Sequence, residues 1–140
     1  MQTPIHNSQA LRLSLCLQRA GRLLLLDEAA GAALPSMELP GGWSLTRAGQ
    51  ALCDSLGLQP CWLGLSHVIR SRSRGLLYVL VAEVRGTPPE SARWHSIDEL
   101  LGERPAGLAD PRITRFVLKG IRAGRLYPIP GEESPCVPPG

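Results

Sequence analysis

The residues able to do chemistry in this chain are scattered, and their types already exclude several mechanisms. Arg70, Arg72 and Arg74 alternate beside a turn that ends at Gly75. Three guanidinium groups on one hairpin raise the local positive potential, and their forked donors match phosphate or carboxylate oxygens, although solvation is the ordinary fate of such a tip. His67 stands in an apolar stretch and His95 beside Trp94, and neither has an evident Ser or Cys nucleophile with a fixing acid, so a hydrolase triad is not indicated. Cys16, Cys53, Cys61 and Cys136 lack the paired spacing of a zinc site or redox pair and read as free thiols in a reducing cytoplasm. Gly41-Gly42 is followed by Trp43-Ser44, not by Lys-Ser or Lys-Thr, so it reads as a turn and not as a phosphate loop.

The elements that must position these residues follow from size and periodicity. A chain of 140 residues, 44% hydrophobic, is the size of one domain with one core. Fourteen of the fifteen basic residues are Arg, with Lys119 the exception, and the net charge is only +3. Arg excess of this kind accompanies phosphate recognition or a GC-rich genome alike, and nucleic-acid binding is not expected. The apolar run Leu76–Ala82 is far shorter than the roughly 20 residues of a membrane-spanning helix, and Arg12 interrupts the first hydrophobic stretch, so neither a membrane span nor a signal peptide is expected.

Residues 1–9 read as a flexible arm. Leu11, Leu13, Leu15 and Leu17 alternate with Arg12, Ser14, Cys16 and Gln18, the period of a half-buried strand. Arg19-Ala20-Gly21 turns into a second strand over Arg22–Leu26, forming a hairpin. Asp27–Ser36 is expected as a connecting loop. Leu45, Ala48, Leu52 and Leu56 recur at helical spacing with Gly57 as C-cap and Ser44 or Thr46 as N-cap. Trp62–Arg70 and Leu76–Val84 read as a second hairpin, Ala92–His95 as a short strand, and Ser96 as the cap of a short helix with Glu99 in the capping-box position. Arg112–Ala123 is the last helix. Residues 126–140, in which Pro128, Pro130, Pro135, Pro138 and Pro139 fall, read as an extended or disordered tail.

This order, together with Leu39-Pro40-Gly41-Gly42-Trp43, Leu56-Gly57-Leu58, Val84-Arg85-Gly86 and the segment from Ala92 to Leu100, resembles the Nudix (MutT-like) family. The resemblance spans roughly Leu11 to Gly124. It implies an α/β/α sandwich around a mixed β-sheet, with residues 10–125 as the domain. The family's box projects several glutamates from one helix and its preceding loop; they hold divalent cations that polarise a pyrophosphate and activate water. Here Gly42–Leu58 covers 17 residues, six fewer than the family's box, and the loop glutamate has no counterpart. Counted back from Gly57, the arginine position holds Gln50, the first helix glutamate Ala51, and the paired glutamates Asp54 and Ser55.

A single surviving acid does not make a magnesium cluster. The resemblance therefore implies a Nudix-like protein with a degenerate box that is weak or inactive as a catalyst and binds a nucleotide-like or phosphorylated ligand, or a protein partner. Under this reading no cofactor is expected, and Arg70, Arg72, Arg74 and Trp43 are the ligand-binding candidates. The competing expectation is a Mg- or Mn-dependent hydrolase of nucleoside-diphosphate-linked compounds, with Asp54 as metal ligand and Glu38 and Glu99 supplying further acids. A third is a structural subunit or homodimer. Helix N-terminal acids such as Asp98 and Glu99 also simply complement the helix dipole.

Overall fold

The computed structural model describes residues 11–71, 75–102 and 107–129. Its central strand is β1 (Leu11–Arg19), which pairs in parallel with β6 (Gly75–Gly86) from Leu11↔Leu76 to Gln18↔Glu83. A parallel pair is normally covered on both faces, and this one is: Leu13, Leu15 and Leu17 are fully buried on one side, while Ser14 and Cys16, expected on a solvent face, are 4% and 0% exposed. The alternation is therefore real, but the middle of the strand, from Leu13 to Leu17, is buried on both faces.

At its far end β1 turns into β2 (Arg22–Glu28) through Ala20 and Gly21, whose φ values of 50° and 76° are the positive pair that a two-residue hairpin demands. The expected loop after Leu26 is instead more sheet. β2 continues to Glu28, β3 (Gly31–Ala33) folds back on it, and β4 (Ser36–Glu38) pairs with the first half of β1. Strands of three residues, Gly-Ala-Ala and Ser-Met-Glu, are too short to carry an alternation to read. β5 (Leu58–Ser71) begins before Pro60, and this is permitted because β5 is an edge strand that bulges between Pro60 and Trp62. β7 (Ala92–Ser96) pairs with β2. The result is a seven-stranded mixed sheet running β3-β2-β1-β6-β5, with β4 on β1 and β7 on β2.

Among the described residues three helices cover its faces. α1 (Leu45–Ser55) lays Ala48 and Cys53 on Leu13, Leu15, Leu63 and Leu80. α3 (Pro111–Arg122) lays Val117 and Leu118 on Cys16, Leu23, Leu25, Val79 and Val81, and α2 (Ile97–Leu100) adds Ile97 and Leu100 to the same side. The chain is thus an α/β/α sandwich around a mixed β-sheet. Of the C-terminal tail, residues 126–129 pack into the domain: Leu126 joins the α3-side core, Tyr127 exchanges two backbone hydrogen bonds of 2.8 Å with Leu65, and Ile129 is 4% exposed in the α1-side core. Gly64 admits this crossing, since a Cβ there would meet Leu126 Cδ1 at 2.3 Å. The arm over residues 1–9 and the tail from residue 130 lie outside the described residues.

Candidate functional site

Two places are open to chemistry, one on each face. On the α1 face, Pro40-Gly41-Gly42 turns with Gly42 at φ 82°, and the Trp43 N–H donates to the Pro40 carbonyl at 3.1 Å. Ser44 is the N-cap: its Oγ accepts from the Arg47 N–H at 3.0 Å. Arg47 then lies 4.0 Å over the Trp43 ring, which is itself half-buried against the core. Farther along α1, Gln50, Asp54 and Ser55 are exposed, Ala51 is half-buried, and the Ser55 hydroxyl donates to the Leu52 carbonyl at 2.7 Å.

The three acids considered from sequence do not come together. Glu38 is exposed on β4 in register with Arg12. Glu99 belongs to α2, on the face opposite α1, where its neighbour Asp98 pairs with Arg122. Among the described residues no three His, Cys, Asp or Glu side chains gather where they would hold a metal ion. The donor set at the box is thus one exposed carboxylate, one hydroxyl committed to the helix backbone, and no second acid. It does not fit a catalytic magnesium or manganese cluster, which takes its stability from several oxygen anions. The nearby Cys53 thiol offers no ligand either, because burial first, and the Asp54 charge second, push it up to about 11.

On the α3 face lies a cavity of about 410 Å³. Its floor is apolar, made by Leu34, Ile69, Leu77 and Ile113, and its polar groups converge from four segments: Arg12 and Ser14 of β1, Ser36 of β4, Glu28 after the bend of β2, and Asp110 and Thr114 of α3. The sequence dictates this convergence locally. β3 holds the segment before α3 by mutual hydrogen bonds of Ala32 with Gly107 and Ala109, and Gly31, at φ 125°, lets that segment approach so closely that a Cβ would sit 2.6 Å from the Gly107 carbonyl oxygen. Asp110 then caps α3, its Oδ1 accepting from the Ile113 N–H at 3.3 Å, with Pro111 at the first turn.

The hydroxyl directions can be worked out. Ser36 Oγ donates to the Leu34 carbonyl at 3.0 Å, so its single proton is spent, and the 2.7 Å contact between Ser14 and Ser36 must use the Ser14 proton. Ser14 therefore presents only acceptor lone pairs to the cavity. Thr114, 3% exposed, adds a second hydroxyl. Among the described residues the lining carries the Arg12 guanidinium, the carboxylates of Glu28 and Asp110, and hydroxyls above an apolar floor, so it offers polar partners to a hydrogen-bonding ring and a guanidinium to an anionic group.

Of the ligand-binding residues expected from sequence, Trp43 lies on the α1 side and Arg70 is exposed on β5, pointing to the face opposite its neighbour Ile69 in the cavity floor. Arg72 and Arg74 lie outside the described residues. Sequence reading missed Ser14, Ser36, Asp110 and Thr114. The available signals were a serine inside an otherwise leucine-rich strand and an Asp-Pro pair at a helix start.

No family model matches the chain, and no curated protein matches it in sequence. Its backbone is nevertheless similar to solved structures. A Nudix hydrolase from Nitrosomonas europaea superposes with a TM-score of 0.69 at 19% identity, over 89% of this chain and 96% of that one. A MutT protein from Bacillus halodurans gives 0.68 at 13% identity, over 84% and 85%. A MutT Nudix hydrolase from Burkholderia pseudomallei gives 0.66 at 20% identity, over 81% and 98%. At these identities the likeness is one of architecture, and together with the strand order, the covering helices and the Pro-Gly-Gly turn it establishes that this chain has the Nudix fold.

Proposed function

We propose that this protein is a Nudix-fold binding module that takes the ring end of a nucleotide-like ligand in the cavity between the sheet and the start of α3. The observation that carries this reading is the contrast between the two sites. The box retains one exposed acid and cannot neutralise a pyrophosphate through metal ions. The cavity's described residues keep a buried serine acceptor, a buried threonine hydroxyl and the Arg12 guanidinium around an apolar floor. A ring N–H directed at Ser14 and an anionic group at Arg12 would satisfy both polar ends. In this reading the protein works in a reducing cytoplasm, and no helix among the described residues is long and apolar enough to cross a membrane.

The second reading is a hydrolase of nucleoside-diphosphate-linked compounds using Mg or Mn at Asp54, favoured by the hydrolase names of the proteins that share the fold and opposed by the donor set. Isothermal titration with ADP-ribose and with nucleoside di- and triphosphates, with and without magnesium or manganese and with product analysis of the same samples, separates the two. Metal-independent binding that is lost in Thr114→Leu, without turnover, supports the binding module. Metal-dependent turnover abolished by Asp54→Asn replaces it with the hydrolase. Absence of both moves the assignment to a protein-interaction subunit.

A further inference from the structure

α3 walls the cavity with its first turn and is fastened to the sheet farther along by an unusual contact. β5 bulges between Leu65 and His67, and this turns the His67 ring, 8% exposed, under the helix. Gly120 presses against the ring: a Cβ at that position would lie 2.6 Å from both Cε1 and Nε2. Phe116 tilts over the same ring at 5.1 Å between centroids. On the other side, His67 Nδ1 meets Ser66 Oγ at 2.6 Å, whereas Nε2 is buried without a hydrogen-bond partner.

These contacts fix the proton. With the hydrogen on Nε2, a donor would be buried against the Gly120 backbone with nothing to accept it. With the hydrogen on Nδ1, donated to Ser66, Nε2 is a bare lone pair, which is less costly to bury. A second proton would have to enter at Nε2, in the space Gly120 occupies. The groups that face the ring are Ser66 on its own strand, Val79 opposite on β6, Phe116 and Gly120 on α3, and Arg125 just beyond α3. The charged group among them is a cation, so none of the described residues compensates an imidazolium there. Burial first, and Arg125 second, hold the imidazole below its ordinary titration range.

We propose that His67 is a proton-operated latch on α3: neutral, it lets Gly120 seat the helix on β5, and when protonated it unseats the helix and with it the wall of the ligand cavity. The cavity's role as a ligand site rests on the function proposed above, but the latch itself does not, and it is tested without ligand.

The experiment is amide hydrogen exchange of the full chain at pH 7.5 and 5.0, corrected for intrinsic rates, together with nitrogen NMR of the His67 ring. The expected result is a neutral Nδ1–H tautomer at pH 7.5 and a loss of protection of about tenfold or more across Val117–Arg122 at pH 5.0. In His67→Phe that loss should shrink to less than about twofold, while Ser66→Ala should leave the helix protected at pH 7.5 and shift its loss of protection in pH. An Nε2–H tautomer at pH 7.5, or equal acid loss in His67→Phe, overturns the latch; the tautomer decides the matter even if the variant does not fold. Failure of every nucleotide to bind at either pH would instead count against the function proposed above.

Discussion

Magnesium should leave this protein's stability almost untouched, and the size of the effect can be worked from the residues on α1. A ligand that binds only the folded state stabilises it by RT ln(1 + [L]/Kd). A site of several converging carboxylates with Kd of about 0.1 mM would therefore gain about 2.7 kcal/mol at about 10 mM cation. For a domain of this size that is a rise in Tm of about 10 °C. Asp54 is exposed, the Ser55 hydroxyl is turned to the Leu52 carbonyl, and Gln50 and Ala51 carry no charge. A lone solvated carboxylate binding more weakly than about 10 mM yields at most ~0.4 kcal/mol, or less than about 2 °C. The assay is thermal unfolding without and with about 10 mM magnesium chloride, with sodium chloride matching ionic strength, for the parent protein and Asp54→Asn. A rise above about 5 °C that is specific to magnesium and disappears in Asp54→Asn would show that acids converge on α1 after all, refuting the argument from the donor set.

Four further outcomes follow from single contacts. Ser44→Ala should cost about 1 kcal/mol in chemical denaturation because the Arg47 N–H loses its cap, while Thr46→Ala should cost about half that or less. Ala20→Asn should stabilise by about 0.5–1 kcal/mol, since Ala20 sits at φ 50° in a turn where asparagine tolerates positive φ; a loss of stability would contradict the turn assignment. Gly86→Ala should destabilise by about 2–4 kcal/mol, because φ is 112° and a Cβ would lie 2.5 Å from the Gly57 carbonyl oxygen, a backbone atom that cannot swing aside. His67 makes stability depend on pH in a stated direction. Its folded-state value is lowered from 6.5, so its contribution is complete above about pH 6.5 and is lost as pH falls through the folded value, by up to about 1.4 kcal/mol per unit of that interval. Denaturation curves of the parent and His67→Phe, compared from pH 7.5 to 5.0, check it, and parallel pH profiles would count against the assignment.

Much of the scaffold was legible in the sequence because it is local. The β1–β2 hairpin announces itself by alternating leucines around Ala20-Gly21, α1 by its spacing of three and four ending at Gly57, and α2 by Ser96 with Glu99. What stayed hidden depends on pairing at a distance. Nothing in Leu11–Arg19 says that its partner is the parallel strand Gly75–Gly86, and so nothing said that Ser14 and Cys16 would be covered by α3. β3 and β4 escaped because Gly-Ala-Ala and Ser-Met-Glu have no period. The cavity escaped for the first reason: Ser14 and Ser36 are 22 residues apart, and Thr114 arrives from the other end of the chain. The resemblance read from the sequence directed attention to α1, where the described residues bring few acids together.

That scarcity has a physical counterpart in how α1 is built. The positions that hold the helix to the sheet are Leu45, Ala48, Gly49, Leu52 and Cys53, whereas Gln50, Asp54 and Ser55 face solvent. Acids can leave the solvent face without opening a cavity or stranding a partner, and closely spaced glutamates on a metal-free helix repel one another. Acids on that face are therefore not required by the packing of α1 on the sheet. The opposite holds on the α3 face, where Ser14 and Thr114 are 4% and 3% exposed. A buried hydroxyl is costly unless its bonds are made, and an aliphatic residue of similar size, such as alanine or valine, would remove that cost. Polar groups kept where an apolar side chain would serve packing better are the places to look for function: among the described residues Ser14 and Thr114 lie in the cavity beside α3, and Ser66 and His67 lie under the same helix.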